Sequence, residues 1–189
     1  MKKRLKKTDS QMTTMAFKWP WQYDFPPFFT IQKTLNTKDK QLEAWARLVI
    51  DYAQHNKIYT LDIAEATTSE LFSNHRLNRR LSTEGVNTVL QYLEQKKLIE
   101  YTDSGRTRFH IFWRRPDVWA STIYQWAVEN AFLNTPMTLY EITHGDDTAN
   151  ESFHNLEREI LMKALTCLQE QKRAQLMNIG SENEGVKFL

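Results

Sequence analysis

Few residues in this 189-residue chain have the types and spacing needed for catalysis or metal binding. The only cysteine, Cys167, lies among Leu161, Ala164 and Leu168 on an apolar helical face, where a buried structural thiol is more typical than a nucleophile. One loop combines acidic residues and histidines, but their spacing fixes no coordination geometry, and a solvated loop is the alternative to a metal site. Its members are Glu141, His144, Asp146, Asp147, Glu151 and His154.

Sequence motifs for catalysis are missing as well. The chain has no glycine-rich phosphate loop, no Cys-x-x-Cys, no His-Glu-x-x-His and no Gly-x-Ser-x-Gly. The sequence therefore predicts no catalytic residue, no cofactor and no metal, and the chain is not expected to be an enzyme.

The densest aromatic segment, residues 17–37, is better suited to binding a partner. Its prolines are incompatible with a helix interior or a central strand, so we predict an extended, polyproline-like conformation. The sequence Pro-Pro-Phe-Phe is close to a Pro-Pro-x-Tyr ligand, with phenylalanine in place of tyrosine. Spacing does not separate docking into a partner from packing on the chain's own core, and docking is our hypothesis. The candidate residues are Trp19, Trp21, Phe25, Pro26, Pro27, Phe28 and Phe29.

The elements predicted on the C-terminal side of this segment, over residues 38–115, have the order of a winged-helix domain. Apolar residues at helical spacing predict a first helix from Lys38 to near His55, followed by a short strand. A second helical region is expected over 62–66 and 69–80, and Ser82 is expected to cap a third helix that ends at Lys96. Residues 98–101 and 106–113 predict a β-hairpin.

The second half repeats the first. The Trp-Ala-x-x-aliphatic pattern at Trp45 recurs at Trp119, an offset of 74 residues, and a second hairpin is expected over 174–189. Pro116 ends the preceding strand and can begin the next helix. We therefore predict an α+β protein with two tandem winged-helix domains, residues 38–115 (the first unit) and 116–189 (the second unit).

A winged helix raises the alternative of a nucleic-acid-binding or transcription-associated factor. The third helix of each unit would then present basic and amide side chains to the major groove. In the first unit that helix carries Glu84 and Glu94 and has no cation before Lys96, so nucleic acid is a disfavoured partner. The counter-evidence is a set of arginines that could gather on one face: Arg76, Arg79, Arg80, Arg106, Arg108, Arg114 and Arg115.

The positive charge of the chain is concentrated at its N-terminus. Residues 1–11 hold five of the 25 basic residues and one of the 23 acidic residues, so the remaining body is slightly acidic. We expect residues 1–16 to be a disordered leader, for which a membrane or nuclear role is an alternative to simple solvation. No apolar run is long enough for a membrane span, and a single cysteine fits a reducing compartment. The predicted location is the cytoplasm, with a nuclear pool left open.

Seven short motifs, in order along residues 17–189, resemble a known family. They are similar to those of vacuolar protein sorting-associated protein 25, the small subunit of the ESCRT-II complex. The motifs are Trp19–Tyr23, Phe25–Thr30, Trp113–Pro116, Tyr124–Trp126, Thr138–Thr148, Phe153–His154 and Gly185–Phe188.

This resemblance implies two tandem winged helices and a non-enzymatic role in sorting ubiquitinated cargo into multivesicular endosomes. It implies that Pro26, Pro27, Phe28 and Phe29 dock on the two larger winged-helix subunits, with two copies of this chain in each complex. It also implies that residues 117–189 recruit and activate the first ESCRT-III subunit, and that the association with the endosomal membrane is peripheral and indirect.

Overall fold

The computed structural model describes residues 16–181 and 183–189. The predicted leader, residues 1–16, therefore lies outside the described residues except for Ala16. Within the part of the chain that is described, no helix has both the length and the apolar character needed to cross a membrane.

The first unit combines three α-helices with a three-stranded antiparallel sheet. The sheet has the order β1-β5-β4, with Leu61 opposite Phe109 and Ile99 opposite Ile111. A two-stranded hairpin, β2–β3, stands apart from it. The elements are α1 (Leu35–His55), β1 (Thr60–Asp62), α2 (Ile63–Thr68), β2 (Ser73–Asn74), β3 (Arg79–Arg80), α3 (Thr83–Gln95), β4 (Ile99–Tyr101) and β5 (Arg108–Ile111).

Apart from the β2–β3 hairpin, which has no counterpart among its described residues, the second unit has the same order of helices and strands and the same sheet topology. Its sheet follows the order β6-β8-β7, with Met137 opposite Val186 and Ala174 opposite Phe188. The α+β class and the predicted repeat are confirmed by this correspondence, which is the winged-helix arrangement of helix, strand, helix, helix and hairpin. The elements are α4 (Pro116–Glu129), β6 (Pro136–Thr138), α5 (Leu139–His144), α6 (Arg158–Glu170), β7 (Ala174–Met177) and β8 (Gly185–Phe188).

Helix boundaries follow from local chemistry. The Ser82 hydroxyl accepts a hydrogen bond from the Gly85 N–H at 3.1 Å, which confirms the predicted cap of α3. Pro116 occupies the first turn of α4, where its missing N–H costs nothing. Trp45 and Trp119, on α1 and α4, are each at most 1% exposed, which supports their equivalence in the two units.

One predicted helical region is wrong. Residues 69–80 do not continue α2 but form the β2–β3 hairpin, in which Ser73 pairs with Arg80 and Asn74 with Arg79. Helix α2 ends because Ser69 is extended, and Asn78 takes a positive φ of 49°, which suits asparagine in a turn.

Two hydrophobic cores lie in the described chain, and they are not fully independent. The first is built around Trp45, and the second around Trp119. Tyr59 and Phe112, although they belong to the first unit, pack in the second core, each 8% exposed.

Polar contacts also join the units. The Thr60 hydroxyl lies 2.9 and 3.0 Å from the two carboxylate oxygens of Glu157 and 3.0 Å from His110 Nδ1, while Lys163 pairs with Glu100 at 2.9 Å. Since Glu157 and Lys163 stand at the start and middle of α6, these contacts connect that helix to the first sheet.

Candidate partner-docking surface

The proline-aromatic segment folds back on the first unit instead of standing free. Two short 3-10 helices, Trp21–Asp24 and Pro26–Phe29, form within it. The predicted extended conformation is therefore interrupted by these two helices, although Pro20, Phe25 and Thr30, which flank them, are extended. The reason is that the fixed φ of proline suits the first turn of a 3-10 helix as well as polyproline, and the aromatic side chains gain a core to pack against.

Phe28 and Phe29 lie inside the first core, with 5% and 4% of their surfaces exposed. The Phe28 ring stacks on Trp45 with centroids 4.3 Å apart and planes within 6°. Its carbonyl accepts hydrogen bonds from Trp45 Nε1 at 3.1 Å and from Gln41 Nε2 at 2.9 Å. For these two residues the structure favours the intramolecular alternative, because their side chains are already packed within this chain.

Tyr23 and Trp19 extend the same packing toward the β2–β3 hairpin. The two rings are stacked with centroids 3.9 Å apart, and the Tyr23 hydroxyl donates a hydrogen bond to the Glu70 carbonyl. Burial, reinforced by the negative charge of Glu70, raises the pKa of Tyr23 to about 12. The phenol therefore stays protonated as a donor across the physiological pH range. Trp19 is half-buried.

The other four candidates are exposed and form what we call the Trp21–Phe25 patch: Trp21, Phe25, Pro26 and Pro27. Trp21 is 72% exposed and Phe25 is 50% exposed, with their centroids 6.2 Å apart. A cleft of about 430 Å³ runs beneath them and reaches Lys40 and Ala44 on α1. Exposed aromatic rings beside an open apolar cleft are typical of a protein-binding surface.

The buried polar side chains that hold this segment were not identified from the sequence. Gln41, on α1, binds the carbonyls of Phe28 and Thr30, and Asn74, on the hairpin, donates to the Tyr23 carbonyl at 2.8 Å. These contacts span 11 to 51 residues, so no local pattern reveals them.

The residues considered for catalysis or metal binding lie in surroundings that are typical of residues that stabilise a fold. Burial raises the pKa of the Cys167 thiol, the opposite of what a nucleophile requires. Glu141 forms a capping box with Thr138 at the start of α5, and these hydrogen bonds lower the pKa of its carboxyl. His144 stacks on Tyr140, and among residues 16–181 and 183–189 no three potential ligands are grouped around a metal position.

The arginines considered for nucleic-acid binding lie on three separate parts of the first unit: the β2–β3 hairpin, the β4–β5 hairpin and the residues just before α4. Several are engaged locally, as Arg106 with Glu94 at 2.5 Å and Arg115 with Asp117 at 3.0 Å. Arg114 lies over the Trp119 ring at 4.4 Å. They form no basic stripe along α3, so this helix lacks the electrostatic surface that a groove-binding helix needs.

Sequence comparison assigns the family. A model of the family described as "ESCRT-II complex subunit" matches residues 22–157. Vacuolar protein-sorting-associated protein 25 of Xenopus laevis is 46% identical over 174 residues, which cover 92% of this chain and 99% of the relative. The human protein of the same name is 42% identical over 174 residues, with 92% and 98% covered. The chain belongs to the family of ESCRT-II complex subunits.

Solved structures agree with this ESCRT-II assignment. The crystal structure of subunit VPS25 of the endosomal trafficking complex ESCRT-II superposes with a TM-score of 0.79 at 27% identity, covering 89% of this chain and 97% of that one. A chain in the crystal structure of endosomal complex ESCRT-II (VPS22/VPS25/VPS36) gives a TM-score of 0.76 at 28% identity, covering 94% and 100%. The sequence and the fold thus both match the same family. The alternative of a nucleic-acid-binding or transcription-associated factor is not favoured.

Proposed function

We propose that the chain is a non-enzymatic subunit of ESCRT-II that docks on the two larger subunits through the Trp21–Phe25 patch, two copies to a complex. The complex would work in the cytoplasm, peripherally on endosomes, in sorting ubiquitinated cargo into multivesicular bodies. The observation that carries the docking proposal is the exposure of Trp21 and Phe25 above an apolar cleft. No observation supports the nuclear pool that the sequence left open.

The division of the segment into buried and exposed aromatics suits this role. Tyr23 anchors the first 3-10 helix in the first core, and Phe28 and Phe29 anchor the second, so the neighbouring Trp21 and Phe25 are held in place before a partner arrives. A preorganised surface loses less conformational entropy on binding. Complete burial of both exposed rings in a partner would contribute about 3 to 6 kcal/mol from apolar transfer alone.

The test compares Trp21→Ala/Phe25→Ala with the parent full-length chain for assembly with the two larger subunits. We expect the double variant to melt at nearly the parent temperature but to lose at least about tenfold in affinity by calorimetry. Tyr140→Ala is the matched control, because Tyr140 is an aromatic residue of the second unit with 69% exposure. Parent-like assembly by the double variant would refute the docking proposal.

We propose further that residues 117–189, within the second unit, bind the first ESCRT-III subunit and start its assembly. The Tyr140 ring, stacked on His144 with centroids 4.9 Å apart, supports this because it leaves an aromatic face uncovered on α5. In the assembled complex, Tyr140→Ala should weaken binding of the ESCRT-III subunit. Trp21→Ala/Phe25→Ala should leave that binding unchanged when an excess of the two larger ESCRT-II subunits ensures that the complex assembles. The reverse pattern would overturn the assignment of the two surfaces.

A further inference from the structure

Strand β3 leads directly into a serine that follows two arginines. Residues 79–82 read Arg-Arg-Leu-Ser, and we refer to them as the Arg-Arg-Leu-Ser segment. The sequence has one other pair of adjacent arginines, Arg114 and Arg115, but there the corresponding position is Asp117. Basophilic serine/threonine kinases recognise arginines two and three residues before a serine, because carboxylates in their peptide groove pair with the guanidinium groups. The segment therefore has the charge pattern of a kinase substrate.

The structure presents both the arginines and the serine to solvent. Arg79, Arg80 and Ser82 are exposed, and neither arginine forms an ion pair with another described residue. The backbone is already extended, since the two arginines form β3 and Ser82 has a φ of −64° and a ψ of 159°. Little rearrangement is needed for such a segment to enter an elongated peptide groove.

Leu81 anchors the Arg-Arg-Leu-Ser segment to the first core. It is 1% exposed, and its N–H donates to the Phe72 carbonyl at 2.9 Å. This burial is compatible with recognition, because the charge pattern places no requirement on the residue directly before the serine. The Ser82 hydroxyl accepts a hydrogen bond from the Gly85 N–H at 3.1 Å and donates to no acceptor in the described part of the chain. Its proton is therefore free to be transferred to a base.

We propose that Ser82 is a phosphorylation site for a basophilic serine/threonine kinase. In the reaction, Ser82 Oγ attacks the γ-phosphorus of ATP, and the bond between Oγ and phosphorus forms as the bond to the β–γ bridging oxygen breaks. ADP leaves, and the hydroxyl proton passes to the catalytic aspartate of the kinase. Arg79 and Arg80 would pair with carboxylates of the kinase groove and so position the serine.

The surroundings of Ser82 can accommodate the phosphate without loss of the fold. The serine, the first turn of α3 and Arg80 line an open cavity of about 750 Å³. A phosphate of about −1.5 to −2 charges would lie there at the positive end of the helix dipole and beside the Arg80 guanidinium. We expect these attractions to outweigh repulsion by the exposed Glu84. The modification would bring the segment from two positive charges to about zero.

Phosphorylation of Ser82 goes beyond the proposed docking, since it involves none of the residues of the Trp21–Phe25 patch. The test incubates the folded full-length chain with ATP and the catalytic subunit of cyclic-AMP-dependent protein kinase, and mass spectrometry identifies the modified residue. A synthetic peptide of residues 74–88 measures phosphorylation in the absence of the fold. Ser82→Asn removes the hydroxyl but keeps a side chain that can cap α3.

Two further variants test whether the arginines are recognised. Arg79→Gln/Arg80→Gln removes the pair before the serine. Arg106→Gln/Arg108→Gln removes two exposed arginines of the β4–β5 hairpin and is the matched control. We expect phosphorylation of Ser82 in the parent and in the control, and a kcat/KM at least about a hundredfold lower in the Arg79→Gln/Arg80→Gln variant.

Several outcomes would overturn the proposal. Phosphorylation of the peptide but not of the folded chain would show that the fold hides the serine. Unchanged phosphorylation of Arg79→Gln/Arg80→Gln would show that the arginines are not recognised, and persistence of the same modified peptide in Ser82→Asn would place the phosphate on Thr83. A Tm of the phosphorylated chain more than about 5 °C below that of the parent would contradict the placement of the phosphate at the start of α3.

Discussion

Replacing Phe28 by alanine tests whether the proline-aromatic segment belongs to the first core. The ring is 5% exposed and stacks on Trp45 at 4.3 Å, so its truncation removes apolar contacts and leaves a cavity against the indole. Large-to-small substitutions of buried phenylalanine cost about 3 to 5 kcal/mol. The stacking of Phe28 on Trp45 contributes about 0.5 to 1.5 kcal/mol beyond the burial of area. We therefore expect a loss of about 4 kcal/mol in the free energy of unfolding. The Phe28 carbonyl remains, so the hydrogen bonds from Gln41 and Trp45 can persist.

The assay is thermal and urea unfolding of the isolated full-length chain, followed by circular dichroism and tryptophan fluorescence. For a chain of this size, about 4 kcal/mol corresponds to a decrease of roughly 10 °C in Tm. Phe28→Leu, which keeps most of the volume, should lose less than about half as much. Trp21→Ala, on the exposed side of the same segment, should change stability by less than about 0.5 kcal/mol. A Tm for Phe28→Ala within about 2 °C of the parent would show that the segment is not core, and the reasoning would fail.

Three further predictions concern the two units. Trp119→Ala should destabilise the second core by about 3 to 5 kcal/mol in urea unfolding, and a surface-like effect would contradict the repeat. Ser82→Ala should cost about 1 kcal/mol through loss of the α3 cap, whereas Ser82→Asp should restore most of it. Burial, aided by the Lys163 charge, lowers the pKa of His110 below its ordinary 6.5, so the unfolded state binds this proton more tightly. The His110 contribution should therefore be lost as pH falls below about 6.5, and His110→Gln should flatten that part of the stability profile measured by urea unfolding.

Local patterns predicted most of the helices and strands of the two units. The apolar stripe at Trp45 recurs at Trp119, and the third helix begins at the Ser82 cap. The alternating apolar residues Phe109 and Ile111 lie in β5. These features depend on residues three or four apart in a helix or two apart in a strand, which sequence displays directly. The helix predicted over 69–80 failed because hairpin pairing and the Asn74 side chain, both tertiary features, outweigh a weak helical propensity.

The candidate site was predicted in location but not in detail. Composition alone identified the proline-aromatic segment, because so many aromatic side chains must be buried somewhere. Which of them face inward depends on Trp45 and Gln41, which meet the Phe28 carbonyl from 17 and 13 residues away. Sequence spacing carries no information on that pairing, so it could not separate Phe28 from Phe25.

The packing of Tyr59 and Phe112, two residues of the first unit, in the second core has a consequence for how the chain unfolds. If the first unit opened alone, both rings would be withdrawn from the packing around Trp119. The second unit would then lose stability at the same moment, so the two halves should share one cooperative transition, and their most protected amides should exchange with similar free energies. A fragment beginning at residue 116 would lack both rings from the outset. The two winged-helix units are thus not independent folding units, and a mutation that destabilises either core should lower the stability of both.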